Sequence, residues 1–139
     1  LGGLFLEHYL DQPIEHCISQ RAGITVERGH IMEVTNLAAD GGAGRILFVV
    51  VTALLHRLCI EWIAFTATRQ VRNMFARLGL APLSLAPAMA EKLPAGATQW
   101  GRYYQYDPHV MIGRVPPGHN RLCEQGWLSS LEVAHGVVA

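Results

Sequence analysis

Apolar and polar residues recur along the chain with two periods, which predict an alternation of helices and strands. Residues 4–19 and 69–78 carry apolar side chains at helical spacing, with Pro13 restarting the first helix. Residues 46–55 are apolar on every side, as in a helix buried under a sheet. Strands are predicted at residues 31–39, 61–68, 83–86 and 100–106, where alternation or β-branched and aromatic bulk is found. The pattern favours an α/β (α+β) domain.

A glycine-rich turn links the strand 31–39 to the apolar helix. It contains Gly41, Gly42 and Gly44, and Arg45 follows directly. Glycines let the backbone approach a ligand closely, and the start of a helix offers free N–H groups and the positive end of its dipole. The turn therefore predicts a phosphate or pyrophosphate cradle, and a turn that only caps the helix is the alternative. Its spacing fits neither a Walker loop nor a dinucleotide fingerprint.

Two other positions are candidates for chemistry. Glu33 is a carboxylate in an otherwise apolar strand, a setting that suits a general base or a group that holds an amine. A structural Glu paired with an arginine is the alternative. Thr68 ends the strand 61–68, where open α/β sheets place their ligands.

Four longer segments resemble a known family: LFLEHYLDQPIE (4–15), EVTNLAADGGAGR (33–45), FTATRQVRNMFARLGL (65–80) and WGRYYQYDPHVMIG (100–113). They resemble the thermostable hemolysin family, whose pattern is similar to that of acyl-homoserine-lactone synthases, which are GNAT-fold enzymes. The resemblance implies a GNAT-like mixed central sheet with helices on both faces. Residues 1–115 would form the C-terminal half of that fold, with an upstream portion missing, and residues 116–139 a variable tail.

The resemblance also implies a function, an acyltransferase that passes an acyl group from acyl-CoA or acyl-carrier-protein phosphopantetheine to a small amine. Glu33 would be catalytic, and the donor would be held by Gly41, Gly42, Gly44, Arg45, Thr68, Arg69 and Asn73. At the position of Phe75, GNAT enzymes commonly have a Tyr that acts as a general acid toward the departing thiolate. At the position of Asn36, the synthases have an Arg. The family name implies the alternative, a membrane-perturbing protein without chemistry.

Composition narrows these expectations. Half the residues are apolar and the formal net charge is zero, which argues against nucleic-acid binding and disorder. Three scattered cysteines argue against a disulfide framework. Because no secretion signal is visible either, a cytoplasmic location is expected. The lytic alternative would place the protein outside the cell. No metal site is expected. Charged residues interrupt the apolar run short of the roughly 20 residues of a membrane span. The unpaired strand edges of half a sheet could join a second copy in a homodimer.

Overall fold

The computed structural model describes residues 3–34, 43–94 and 101–126, and of residues 43–45 only the backbone. Four helices and four strands follow one another along these segments. In chain order they are α1 (Ile14–Ala22), β1 (Ile31–Val34), α2 (Ala43–Arg57), β2 (Trp62–Ala67), α3 (Arg69–Arg77), β3 (Leu83–Pro87), β4 (His109–Arg114) and α4 (Val115–Glu124). Short 3-10 helices include Phe5–Tyr9 and Tyr103–Tyr106.

The four strands form one mixed sheet in the order β1-β2-β4-β3. β1 runs parallel to β2, with α2 as the connection between them, and β4 is antiparallel to both β2 and β3. A parallel pair needs such a long connection because the chain must return to the edge from which it started. The two parallel strands therefore end at one edge of the sheet, here called the carboxyl edge.

Each face of the sheet carries its own apolar core, because successive strand residues point to opposite sides. On the first face, Ile63, Phe65 and Ala67 pack with residues of α2, α3 and α4. On the second face, Trp62 and Ala64 pack with α1 and the N-terminal 3-10 helix. The predicted mixed sheet with helices on both faces is confirmed.

The beginnings and ends of the helices follow local chemistry. Pro13 precedes the first residue of α1, where its fixed φ favours a helix start and its missing N–H costs nothing. Gly23 ends α1 in the left-handed conformation, with φ at +72°. Thr68 caps α3, since its hydroxyl accepts a hydrogen bond from the N–H of Val71 at 3.5 Å.

The prediction of a strand at residues 100–106 is wrong for residues 101–106, the part that the structure describes. Tyr103–Tyr106 is a 3-10 helix, and the strand comes later, at His109–Arg114. The tyrosines have partners that do not need a strand, since the hydroxyls of Tyr104 and Tyr9 are 2.7 Å apart. Asp107 then turns the chain with a positive φ of 54°.

Two helices differ from expectation. Residues 46–55 are predicted to be buried all round, but α2 exposes Ile46, Leu47, Val50 and Leu54, and Leu58 just beyond its end is exposed too. The first part of the predicted tail is a helix, α4, whose Leu122 is completely buried. Within the described segments, no helix is both long and apolar enough to cross a membrane.

Candidate functional site

The carboxyl edge brings together the ends of β1 and β2 and the starts of two helices. β1 ends at Val34 beside Phe65 of β2, and β2 ends at Ala67. α3 begins two residues later, at Arg69, and α2 begins at Ala43. The first N–H groups of a helix have no intrahelical partner, so both helix starts present donors and positive dipole ends at this edge.

A cluster of polar side chains stands at the same edge, here called the Asp107 cluster. Arg72 of α3 donates from Nη1 to the carbonyl oxygens of Ala67 at 2.8 Å and Asp107 at 2.5 Å, and from Nη2 to Asp107 Oδ2 at 2.7 Å. The exposed guanidinium of Arg69 lies 3.6 Å from the same carboxylate oxygen. Arg72 thereby fixes the start of α3 to the turn that leads into β4.

The cluster continues through His109 to β3. His109 Nε2 lies 3.2 Å from Asp107 Oδ1, and its Nδ1 lies 2.9 Å from the hydroxyl of Ser84. Partial burial acts to raise the pKa of Asp107, but the hydrogen bond from Arg72 and the charges of His109 and Arg72 outweigh it and lower that pKa. Asp107 is therefore an anion at neutral pH, and it balances the guanidinium of Arg72.

Glu33 lies apart from this cluster. Its Oε1 and Oε2 accept hydrogen bonds from the backbone N–H groups of Phe5 and Leu6, both at 2.9 Å. Glu33 thus caps the N-terminal 3-10 helix, on the sheet face opposite to α3. Its predicted pairing with an arginine is replaced by these backbone bonds, and its catalytic role stays a prediction.

The other predicted donor-binding residues divide into two groups. Gly41 and Gly42 lie outside the described residues, as does the side chain of Arg45, while Gly44 is in the first turn of α2. Thr68 and Arg69 stand together at the start of α3, and Asn73 is exposed one turn further along it. The phosphate cradle itself therefore stays a prediction. Its expected neighbours at the start of α3, Thr68 and Arg69, lie at the carboxyl edge of the sheet.

Sequence reasoning missed the rest of the Asp107 cluster. Asp107 carries a local signal, since an Asp-Pro pair marks a turn. Ser84 and His109 carry none, because they are 25 residues apart in the chain and only the pairing of β3 with β4 brings them together. Among the described residues, no group of three or more His, Cys, Asp or Glu side chains could hold a metal ion.

Comparison with known proteins gives the family of the chain. The family model for thermostable hemolysin matches residues 1–119. This chain belongs to the thermostable hemolysin family. The match covers all four strands, the carboxyl edge and the first half of α4. No curated protein and no solved structure matches the chain.

Proposed function

We propose that this member of the thermostable hemolysin family binds an acyl thioester, of coenzyme A or of an acyl-carrier protein, at the carboxyl edge and transfers the acyl group to an amine. One observation carries the proposal: two helices, α2 and α3, begin at the edge where the parallel strands end. Ligands of open α/β sheets bind at such an edge, and phosphates bind at helix starts.

Charge at the edge supports a phosphate-bearing donor. Arg69 has a side chain that is 71% exposed, and its contact with Asp107 at 3.6 Å is long for an ion pair. A guanidinium in this position can turn toward a phosphate, which it binds through paired hydrogen bonds. Arg72 is different, since it is committed to Ala67 and Asp107. We therefore propose that Arg69 binds the acyl donor and that Arg72 has a structural role, linking α3 to the end of β2 and to Asp107.

The proposed reaction forms one bond and breaks one. The neutral amine nitrogen attacks the thioester carbonyl, the C–N bond forms and the C–S bond breaks. The amine proton passes to solvent as the thiolate departs, so the products are the amide, the thiolate and one proton. Glu33 is oriented by its two backbone hydrogen bonds and keeps lone pairs to hold the amine. Phe75, which is 1% exposed and packs against Phe48 and Phe65, has no proton to give, so the thiolate leaves without an acid from α3.

Isothermal titration with coenzyme A and with decanoyl-CoA, at low and moderate salt, tests the proposal. We expect binding of both ligands to weaken with salt, because phosphates provide part of the affinity. Gly42→Asp places a carboxylate in the cradle and should abolish binding. Gly29→Asp is the matched control, since Gly29 lies in the 3-10 helix Arg28–His30 and a Cβ there meets nothing within 4 Å. Equal binding by both variants would contradict the cradle.

A second candidate function rests on the exposed side of α2. Five large apolar residues form a stripe there, here called the α2 stripe. They are Ile46 (51% exposed), Leu47 (52%), Val50 (45%), Leu54 (54%) and Leu58 (58%). Ile46, Val50 and Leu54 are four residues apart, so they lie along one line of the helix surface, and Leu58 follows just beyond the end of α2. Such a surface can insert into the interfacial region of a membrane, as the lytic activity in the family name requires.

Dye leakage from phospholipid vesicles tests this second candidate. The double variant Val50→Glu, Leu54→Glu puts two charges on the α2 stripe and should suppress leakage if the stripe enters the membrane. Ile24→Glu is the control, because Ile24 is equally exposed, at 48%, but lies outside α2. If the unaltered protein causes no leakage, or if the control suppresses leakage as strongly, membrane insertion through α2 is wrong.

A further inference from the structure

An apolar cavity of about 350 Å³ lies between the first face of the sheet and helices α2 and α4, partly open to solvent. Ligand-binding pockets usually occupy about 300–1,000 Å³, so this cavity is large enough for a small ligand. The connection from α3 to β3 forms its outer wall. Its main lining residues are Phe48, Leu55, Ile63, Phe75, Leu80 and Val115.

The inner part of the cavity suits hydrocarbon only. Phe75 closes it together with Phe48 and Phe65, at ring centroid distances of 4.4 Å and 5.0 Å. Thr52 is the single buried polar side chain in the described part of the chain, and its hydroxyl already donates to the carbonyl oxygen of Phe48 at 2.9 Å. No side-chain hydroxyl in this wall lacks a partner, so a polar ligand would gain nothing there to offset its desolvation.

Two arginines line the cavity, Arg114 of β4 and Arg121 of α4. The guanidinium of Arg114 lies 6.0 Å from the centroid of the Trp62 ring, which belongs to the core on the second face of the sheet, so Arg121 is the positive group at the rim. Its guanidinium lies across Gly79, where a Cβ would come within 2.9 Å of Arg121 Nε. Gly79 can accept this approach because it has no side chain, and its φ of +73° also requires glycine. Glu124 is the carboxylate nearest to Arg121, at 3.6 Å, and both side chains are more than half exposed. A weak surface pair of this kind can exchange one carboxylate for another.

We propose that this cavity binds the chain of a free fatty acid, whose carboxylate pairs with Arg121 at the rim. The carboxylate would bind away from the carboxyl edge. The cavity is lined by Ile63 and Gly113, which pair near the opposite end of β2 and β4 from Ala67 and His109, and its inner end reaches Phe65, beside the end of β1. The assignment therefore does not depend on the proposed thioester binding.

Isothermal titration with hexanoate, octanoate, decanoate and dodecanoate, each below its micelle concentration, tests whether the cavity binds the hydrocarbon chain of the fatty acid. We expect affinity to rise by about fourfold for each added methylene, since every CH₂ leaves water for an apolar wall. The rise should stop when the cavity is full. An increase that continues unchanged through dodecanoate, or no increase at all, would overturn the assignment.

Two charge variants test the carboxylate. Arg121→Gln should weaken decanoate binding by about fivefold, the scale of an exposed ion pair, and should leave binding of decanol unchanged. Glu124→Gln removes the competing carboxylate and should strengthen decanoate binding by a similar factor. Equal effects of either variant on decanoate and decanol would show that Arg121 does not bind the head group.

A blocking variant tests the position of the site. Gly118 lines the cavity, and a Cβ there meets only Leu80 Cδ2, at an ordinary 3.8 Å, so Gly118→Leu should fold and fill the entrance. Gly29→Leu adds the same side chain where nothing lies within 4 Å. We expect decanoate binding to be lost in the first variant and kept in the second, and kept also in Gly42→Asp. Unchanged binding in Gly118→Leu would overturn the site, and the length series and charge variants decide the matter if that variant is unfolded.

Discussion

Among single residues, Glu7 links the N-terminal segment to the start of α1 and to Arg28. Its carboxylate accepts the backbone N–H groups of Leu4 and Ile14, both at 2.8 Å, and pairs with the guanidinium of Arg28. The hydrogen bond from Arg28 lowers the pKa of Glu7 from 4.5 to about 2. Because the folded pKa lies below the unfolded one, this stabilisation is complete above pH 4.5 and is lost as the pH falls toward 2.

Glu7→Gln should therefore destabilise the protein in a pH-dependent way. We expect a loss of about 1.5–3 kcal/mol in the free energy of unfolding at pH 7, the range for a hydrogen bond to a charged group. Urea denaturation at pH 7 and near pH 2 measures it, and the two proteins should become equally stable at the lower pH. Glu91→Gln, at an exposed position, is the control. A difference that is the same at both pH values would contradict the role of the charge.

The candidate site also shows which residues a sequence can reveal. The positions of Thr68 and Arg69 could be predicted, because they come directly after a strand and at the start of a helix, while their part in donor binding stays a prediction. His109 and Ser84 could not, because strand pairing brings them together. Glu33 stands out in the sequence as a carboxylate in an apolar strand, but its hydrogen-bond partners, the N–H groups of Phe5 and Leu6, are 28 and 27 residues away and carry no side-chain signal.

Among the elements, α2 divides sharply into a buried side and an exposed side. Leu55 is 3% exposed and Leu54 is 54% exposed, although the two residues are adjacent. A run that is apolar all round hides this division, since periodicity cannot tell the two sides apart. The same limit explains β4, whose Val110, Met111 and Ile112 are buried on both faces and therefore show no alternation.

The two neighbouring leucines of α2 provide a matched pair of substitutions. Leu55→Ala should lower the free energy of unfolding by about 2–5 kcal/mol, because it removes packed methyl groups from the core. Leu54→Ala should change it by less than about 0.5 kcal/mol, as is usual for surface positions. Urea denaturation measures both. Similar losses in the two variants would mean that the outer side of α2 is covered by another surface.

At the scale of the whole molecule, α4 belongs to the same core as the sheet. Val115 and Leu122 pack with residues of α2, β2 and α3, and the N–H of Val115 donates to the carbonyl of Glu61 at 2.8 Å. Pro116 and Pro117 suggested a tail, but prolines are also favoured in the first turn of a helix. The sequence of α4 alone does not show which side of the helix is buried, because that depends on the residues of α2, β2 and α3 that cover it.

Leu122→Ala tests whether α4 unfolds with the rest of the protein. Leu122 is 0% exposed, so we expect a loss of about 2–5 kcal/mol in one cooperative transition. Cys123→Ala, at the exposed neighbouring position, should leave stability nearly unchanged. Thermal unfolding followed by circular dichroism distinguishes the two variants. If Leu122→Ala had no effect on the main transition, α4 would be a separate unit.

The most direct test of the proposed donor site is an NMR titration of the ¹⁵N-labelled protein with coenzyme A. Phosphates held by helix starts change the shifts of the backbone N–H groups that bind them. We predict that the largest shifts occur at residues 41–46 and 68–71, with smaller ones at the Asp107 cluster. Shifts confined to other parts of the chain, or none at saturating coenzyme A and acyl-carrier protein, would contradict thioester binding at the carboxyl edge.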